Sequence, residues 1–379
     1  MTNNRHDATQ KGRLSAKGVL GRALLVLLSA ACTLMGIEIF LRFQEPRLHL
    51  LRDRSDINLG RYRVHHVWHH WMRPNSFTGI RGREEYPEPI LYRTNRHGCR
   101  DDRQFDGPAP QGTYRIIVMG DSFTEGYYPE DSFGRVLQSR LNALDNPLDY
   151  EVINCGTTSY SPLLHLLRYK HQLRELEPDE VIVNIDLTDI FDDNWRYRQE
   201  AAFAVDGEPL SAGPAPFSAK MIADELRFRY YTARLLFGRP SNQVTLPMAE
   251  NVFAYHRDLS PESTRWQQDV GFTLDLMRRL VREIERSGAR VTFSMYPYRE
   301  QLESVDGGPI WNRAFEAKVA VLASELDVPF YSAFDDVERL FREGHKLYWA
   351  DDFHLNPSGQ RAWSEAFARY YVNRVAGNQ

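Results

Sequence analysis

Polar and apolar positions along this 379-residue chain fall into three regimes. The first is a single long apolar run at residues 23–41, ALLVLLSAACTLMGIEIFL. At about 1.5 Å per residue a helix of that length nearly spans a hydrocarbon core of roughly 30 Å. A polar stretch precedes it, with Arg5, Lys11, Arg13, Lys17 and Arg22 against Asp7. Such a basic flank stays cytoplasmic, which places the remaining chain outside the inner membrane of a bacterium. A cleavable signal peptide and a lipoprotein signal at Ser29-Ala-Ala-Cys32 are the alternatives. The length of the run and its apolar continuation to Leu41 favour an uncleaved anchor. Glu38 lies near the distal end, within reach of the interface. The second regime, residues 44–113, has little periodicity and reads as an extended lead-in.

The third regime, residues 114–376, alternates short apolar runs with amphipathic stretches. Strands are expected at 115–119, 150–154, 180–187, 290–295 and 328–331. Helices are expected at 132–143, 163–176, 263–287, 309–326 and 357–376. This alternation implies an α/β fold: a three-layer sandwich around a mostly parallel five-stranded sheet. Ligands in such sheets bind beyond the carboxyl ends of the strands. Residues 194–260 break the pattern, with Asp206-Gly207, Pro209, Gly213-Pro-Ala-Pro216 and Gly238-Arg-Pro240. That length exceeds an ordinary connection and predicts an insertion that covers the site or meets a partner.

The formal net charge of −4, with 42% hydrophobic and 26% charged residues, is ordinary for a globular chain and gives no reason to expect nucleic acid. Of the three cysteines, Cys32 lies in the apolar run. Cys99 and Cys155 can pair in an oxidising compartment, but two small buried thiols are the simpler reading. His65-His-Val-Trp-His-His70 would present metal-binding pairs only on a helix and brings no carboxylate or Cys ligand, so it reads as packing. Asp186, Asp189, Asp192 and Asp193 read as a solvated turn. No metal and no cofactor is called for. Trp195, Tyr197, Trp311 and Trp349 are candidates to stack on sugar rings, with core packing the competing role.

The chemistry lies at the strand ends. Gly120-Asp121-Ser122 follows the first strand, Asn154-Cys155-Gly156 the second and Asp186-Leu-Thr-Asp189 the third. Asp351-Asp-Phe-His354 opens the last helix. A serine hydroxyl is a weak nucleophile until an imidazole takes its proton, and the imidazole needs a carboxylate to fix its tautomer. Ser122, His354 and Asp351 supply these parts. These blocks, in this order over roughly residues 90 to 375, resemble the SGNH (GDSL-type) hydrolase family. Tyr92-Arg-Thr-Asn-Arg-His-Gly98 is similar to the lead-in of its membrane-anchored bacterial members. The resemblance implies Ser122 as nucleophile, Asp351 and His354 as its partners, and Ser122, Gly156 and the third block as oxyanion donors. The family's Asn in that third block falls on Thr188, which offers one rotatable O–H in place of an amide.

The function expected is a periplasmic, single-pass serine esterase or deacylase. Its substrate would be acylated cell-envelope carbohydrate or another small ester. An O-acyltransferase on the same triad, or a degenerate scaffold in envelope polysaccharide assembly, are the other readings. The departure at Thr188 is what keeps the last of these open.

Overall fold

The structure, a computed structural model, describes residues 16–49, 61–80, 82–145, 147–237, 246–305, 308–309 and 313–377. Arg5, Lys11, Arg13, the turn at 238–240 and Trp311 lie outside these residues. The chain divides into two compact units. One comprises Met1–Arg52 with Glu225–Pro240, and the other Asp53–Asp224 with Ser241–Gln379.

In the first unit, helix α1 spans Ala16–His49. Within it, Gly18–Gln44 is long and apolar enough to cross a membrane, and Leu24, Leu25, Val26, Leu27 and Leu28 are exposed. Glu38 does not reach outward as its position suggested; it is buried. Its Oε2 accepts the backbone N–H and hydroxyl of Thr232, both at 2.9 Å, and its Oε1 accepts Arg42 Nε at 2.8 Å. Thr232 lies in the first turn of the helix Tyr231–Phe237, whose unsatisfied N–H groups favour an anionic acceptor.

The second unit opens with two hairpins where an unpatterned lead-in was expected. They are β1 (Tyr62–His65) with β2 (His69–Met72), and β3 (Phe77–Ile80) with β4 (Ile90–Arg93). The histidine-rich segment is therefore a tight hairpin, with His65 stacked on Trp68 at 3.4 Å. These strands are short, and β1 is only partly buried along its length, so no strong alternation marks them in sequence.

The central sheet comprises β5 (Thr113–Met119), β6 (Asp149–Asn154), β7 (Glu180–Ile185), β8 (Arg290–Met295) and β9 (Phe330–Ser332). Its order is β9-β8-β7-β5-β6 and every pairing is parallel. Strands buried on both faces require continuous apolar runs, and Ile116, Ile117, Val118 and Met119 provide one. From β5 the chain steps outward to β6, then returns past β5 to β7. Right-handed crossovers put α3 (Phe133–Leu141) and α4 (Pro162–His171) on opposite faces. Helix α3 packs on the final helix Pro357–Gly377, and α4 on Thr264–Arg286. The direction of winding reverses between β5 and β7, which opens a crevice at their carboxyl ends.

The expected helix at 163–176 ends at His171 and continues as a 3₁₀ turn, and the one at 309–326 is described as Ala314–Glu325. Among the described residues of 194–260, none joins the central sheet. They hold a small hairpin, Ala202–Phe203 with Pro209–Ser211, and several helices. The unpaired reading of the cysteines is overturned, since Cys99 and Cys155 form a disulfide. Arg100 N donates to Asn154 O at 2.7 Å, which brings the two neighbouring residues side by side.

Candidate active site

Ser122 begins the four-residue helix α2 (Ser122–Glu125) directly after β5, at the crevice where the winding reverses. Asp121 caps this helix by accepting Phe123 N–H at 2.9 Å. The turn demands glycine at two places. A Cβ on Gly120 would meet Thr124 Oγ1 at 2.0 Å, and one on Gly156 would meet Glu125 N at 2.5 Å. Both glycines let α2 sit against the sheet ends.

Ser122 Oγ lies 2.7 Å from His354 Nε2. His354 Nδ1 lies 2.6 Å from Asp352 Oδ1. A carboxylate at Nδ1 fixes the proton there and leaves Nε2 as an acceptor for the serine hydroxyl. The carboxylate at the imidazole is thus Asp352 and not Asp351. The chain turns between Tyr348 and Leu355, which pair as a bridge, and this turn points the side chain two positions before His354 toward its ring. Asp351 points outward, 64% exposed, and accepts Arg83 Nη1 at 2.7 Å.

The other oxygen of Asp352 is held as well. Arg83 Nη2 donates to its Oδ2 at 2.5 Å and Tyr127 OH at 3.1 Å. The Arg83 guanidinium lies 4.5 Å from the Trp349 ring centre. Burial alone would raise the Asp352 carboxyl, but His354 and Arg83 overcome it and hold the group far below the ordinary carboxylate range. No periodicity or motif marks Arg83 in the sequence.

The expected oxyanion donors separate. Ser122 N–H is at a helix N-terminus and has no acceptor among the described residues. Gly156 N–H is already spent on Asn154 Oδ1 at 3.0 Å, and Gly156 does not line the pocket. Thr188 lines the pocket, but its N–H and hydroxyl both lie 2.6 Å from Asp186 Oδ1, so the single hydroxyl proton has a buried acceptor. Ser159 also lines the pocket. Its backbone is left-handed, with φ at 58°, and its N–H has no acceptor among the described residues. Non-glycine residues adopt that conformation only where the surroundings impose it. Here Tyr197 OH donates to Ser159 O at 2.6 Å, and His70 Nε2 meets Thr158 O at 2.8 Å. Tyr62 OH bonds the Glu125 carboxylate at 2.6 Å, which also accepts Thr158 N–H. The hairpin β1–β2 therefore braces the pocket wall.

The cavity holds about 410 Å³ and is lined by aromatic and polar groups together, among them Tyr92, Tyr127, Phe253, Tyr298 and Phe353. Of the aromatic residues singled out in sequence, Tyr197 and Trp349 are buried, and Trp195 is half-exposed beneath Arg265. The acidic turn is not solvated: Asp186, Asp189, Asp192 and Asp193 are all buried. The segment Asp192–Tyr197 is a π-helical turn, a rare conformation that often marks functional sites. Arg196 in that turn bonds Asp192 at 3.2 Å and lines the pocket.

The sequence profile of a GDSL-like lipase/acylhydrolase family matches residues 118–362. The chain belongs to that family. It is an SGNH-type serine hydrolase of ester bonds, built on a parallel five-stranded sheet with flanking helices. No curated protein matches this GDSL-like chain. Among solved structures, the acetylxylan esterase Axe2 from Geobacillus stearothermophilus is similar at 14% identity and TM-score 0.41, over 68% of this chain and 93% of that one. The psychrotrophic esterase EstA from Pseudoalteromonas sp. is similar at 14% identity and TM-score 0.37, over 70% and 99%. The acetyl xylan esterase AlAXEase is similar at 12% identity and TM-score 0.41, over 68% and 98%.

Proposed function

We propose that this GDSL-like hydrolase is a membrane-anchored, extracytoplasmic serine esterase or deacylase that removes O-acyl groups from cell-envelope carbohydrate. One observation carries the reading: Ser122 Oγ, His354 and Asp352 form a continuous hydrogen-bonded line at 2.7 and 2.6 Å. Ser122 Oγ attacks the ester carbonyl while His354 Nε2 takes its proton. Asp352 stabilises the imidazolium, with Arg83 and Tyr127 holding the carboxylate in place. The N–H groups of Ser122 and Ser159 receive the charge that develops on the carbonyl oxygen. His354 then returns the proton to the leaving alcohol, and water releases the acyl group by the same steps reversed.

A mixed aromatic and polar cavity suits an acylated sugar, whose faces are apolar and whose rim is hydroxyl-rich. The Cys99–Cys155 disulfide supports an oxidising compartment, and the apolar helix supports residues 23–41 as the anchor. In this organisation residues 1–22 are cytoplasmic, and residues 44–113 and 114–376 lie on the far side of the membrane.

A fluorophosphonate probe tests the core of this reading on the full-length protein in detergent. Native protein should label, and Ser122→Ala should not. Equal labelling of the two would remove Ser122 from the role. Release of free acid from an acetylated oligosaccharide, with and without a second sugar as acceptor, distinguishes hydrolysis from transfer.

A further inference from the structure

Beneath Ser122 lies a polar cluster that the acyl-transfer chemistry does not use. Tyr296 follows β8 and is fully buried. Its hydroxyl is 2.6 Å from Asp121 Oδ1 and 3.0 Å from Asp186 Oδ2. Asp121 and Asp186 are themselves buried. Two O···O contacts of that length each need a hydrogen between the oxygens, and a phenol supplies one. The second hydrogen must sit on a carboxyl group.

The neighbours decide which one. Asp186 accepts Thr188 N–H and Thr188 O–H at Oδ1, and Tyr298 OH also faces it. These donors favour the ionised form on Asp186. Asp121 accepts Phe123 N–H at Oδ1, and its Oδ2 lies 3.2 Å from Ser122 Oγ. Asp189 adds another buried carboxyl nearby, with its Oδ2 accepting Asp186 N–H at 3.2 Å. No cation bonds Asp121 or Asp186 among the described residues, and Arg196 pairs with Asp192 instead. Burial, then the charge of Asp186, pushes the Asp121 carboxyl well above its ordinary range, while burial raises Asp186 against the donors around it.

We propose that Asp121, Tyr296 and Asp186 hold one extra proton under the nucleophile, resting on Asp121, and that this keeps Asp121 from competing with His354 for the Ser122 hydroxyl. Asp121 donates to Tyr296 OH, which donates to Asp186. Asp121 is then neutral beside Ser122 Oγ, and the serine proton goes to His354 Nε2. Loss of the extra proton at alkaline pH would put a second negative charge 3.2 Å from the oxygen that becomes nucleophilic. That charge opposes the build-up of anionic character on Ser122. Asp121, Tyr296 and Asp186 are positioning residues in this account. The kinetic consequence rests on Ser122 as nucleophile; the shared proton itself does not.

Infrared spectroscopy of the full-length protein in detergent reads the proton directly, because a carboxylic acid absorbs in its C=O stretch apart from a carboxylate. Part of the buried-acid band should persist above neutral pH, and the share of it that Asp121 contributes should be lost in Asp121→Asn. The same share should be lost in Asp186→Asn, because removing the partner's charge lets Asp121 ionise. Tyr296→Phe keeps both carboxyls and should shift the band by weakening its hydrogen bond. Fluorophosphonate labelling at neutral pH should slow about tenfold in Asp186→Asn, the equivalent of one unit in the acidity of the attacking group. The alkaline fall in native labelling should vanish in Asp121→Asn. An acid band unchanged in both Asp121→Asn and Asp186→Asn would overturn the proposal. If one variant does not fold, the other together with Tyr296→Phe distinguishes the same two outcomes. Loss of the Asp121 share of the band without any change in the pH profile would keep the shared proton and refute its link to Ser122.

Discussion

Two adjacent aspartates differ sharply in what their loss should do. Asp352 Oδ1 lies 2.6 Å from His354 Nδ1, and its side chain is 19% exposed. Once His354 takes the serine proton, an imidazolium faces this carboxylate. With charge centres about 4 Å apart and an effective dielectric of about 20, the attraction is about 4 kcal/mol. At 1.36 kcal/mol per tenfold, that is roughly a thousandfold in the acylation rate. In Asp352→Asn the amide also offers its N–H to Nδ1 and so favours the wrong tautomer, which pushes the loss toward about ten-thousandfold. Asp351 instead makes a surface pair with Arg83 and is 64% exposed. Exposed pairs contribute about 0–1 kcal/mol, so Asp351→Asn should slow acylation by no more than about fivefold. Stopped-flow measurement of the acylation burst with p-nitrophenyl acetate separates the two. A larger loss in Asp351→Asn than in Asp352→Asn would refute the assignment. Near-native bursts in both would show that His354 works without either carboxylate.

Two further outcomes follow from buried groups away from the serine. The Cys99–Cys155 bridge spans 56 residues, and the loop-entropy relation puts its contribution at about 4 kcal/mol; Cys99→Ser with Cys155→Ala should lower the Tm by calorimetry and remove the effect of added reductant. Burial pushes Asp193 up to about 7, so the folded chain keeps a proton that the unfolded chain releases near pH 4, and stability falls as pH rises between those values by up to about 4 kcal/mol. Asp193→Asn retains an oxygen for Leu163 N–H and should flatten the fall in Tm between about pH 4 and about pH 7; an unchanged slope would assign that fall to other groups.

The sheet was legible because its evidence is local. Apolar runs such as Ile116–Met119 announce strands buried on two faces, and the amphipathic stretches between them set the parallel order. The strand boundaries at 290–295 agree with Arg290–Met295 residue for residue. What the sequence withheld was direction. Asp351 and Asp352 are chemically identical neighbours, and only the turn between Tyr348 and Leu355 decides which faces the ring. The family resemblance implied Gly156 as an oxyanion donor, yet its lack of a side chain serves the approach of α2. Ser159 carries no such signal, because its left-handed backbone is imposed by Tyr197 and the hairpin β1–β2. Buried acids at 186–193 read as a polar turn for a related reason: charge in a sequence suggests solvent until tertiary partners are known. The disulfide likewise needed the spatial adjacency of residues 56 positions apart.

The hairpins before β5 alter what counts as the working unit. The family match begins at residue 118, within β5. Arg83, which fixes the Asp352 carboxylate, and Tyr62 and His70, which brace the wall at Thr158, all lie upstream of it. So does Cys99, one half of the disulfide. The segment that the family match covers is therefore smaller than the segment that keeps this pocket in shape. Drift in residues 61–100 would be felt at the imidazole and the pocket wall while every block of the family signature stayed intact. Divergence of activity within the family can begin there, in a stretch that a comparison of signature motifs would pass over.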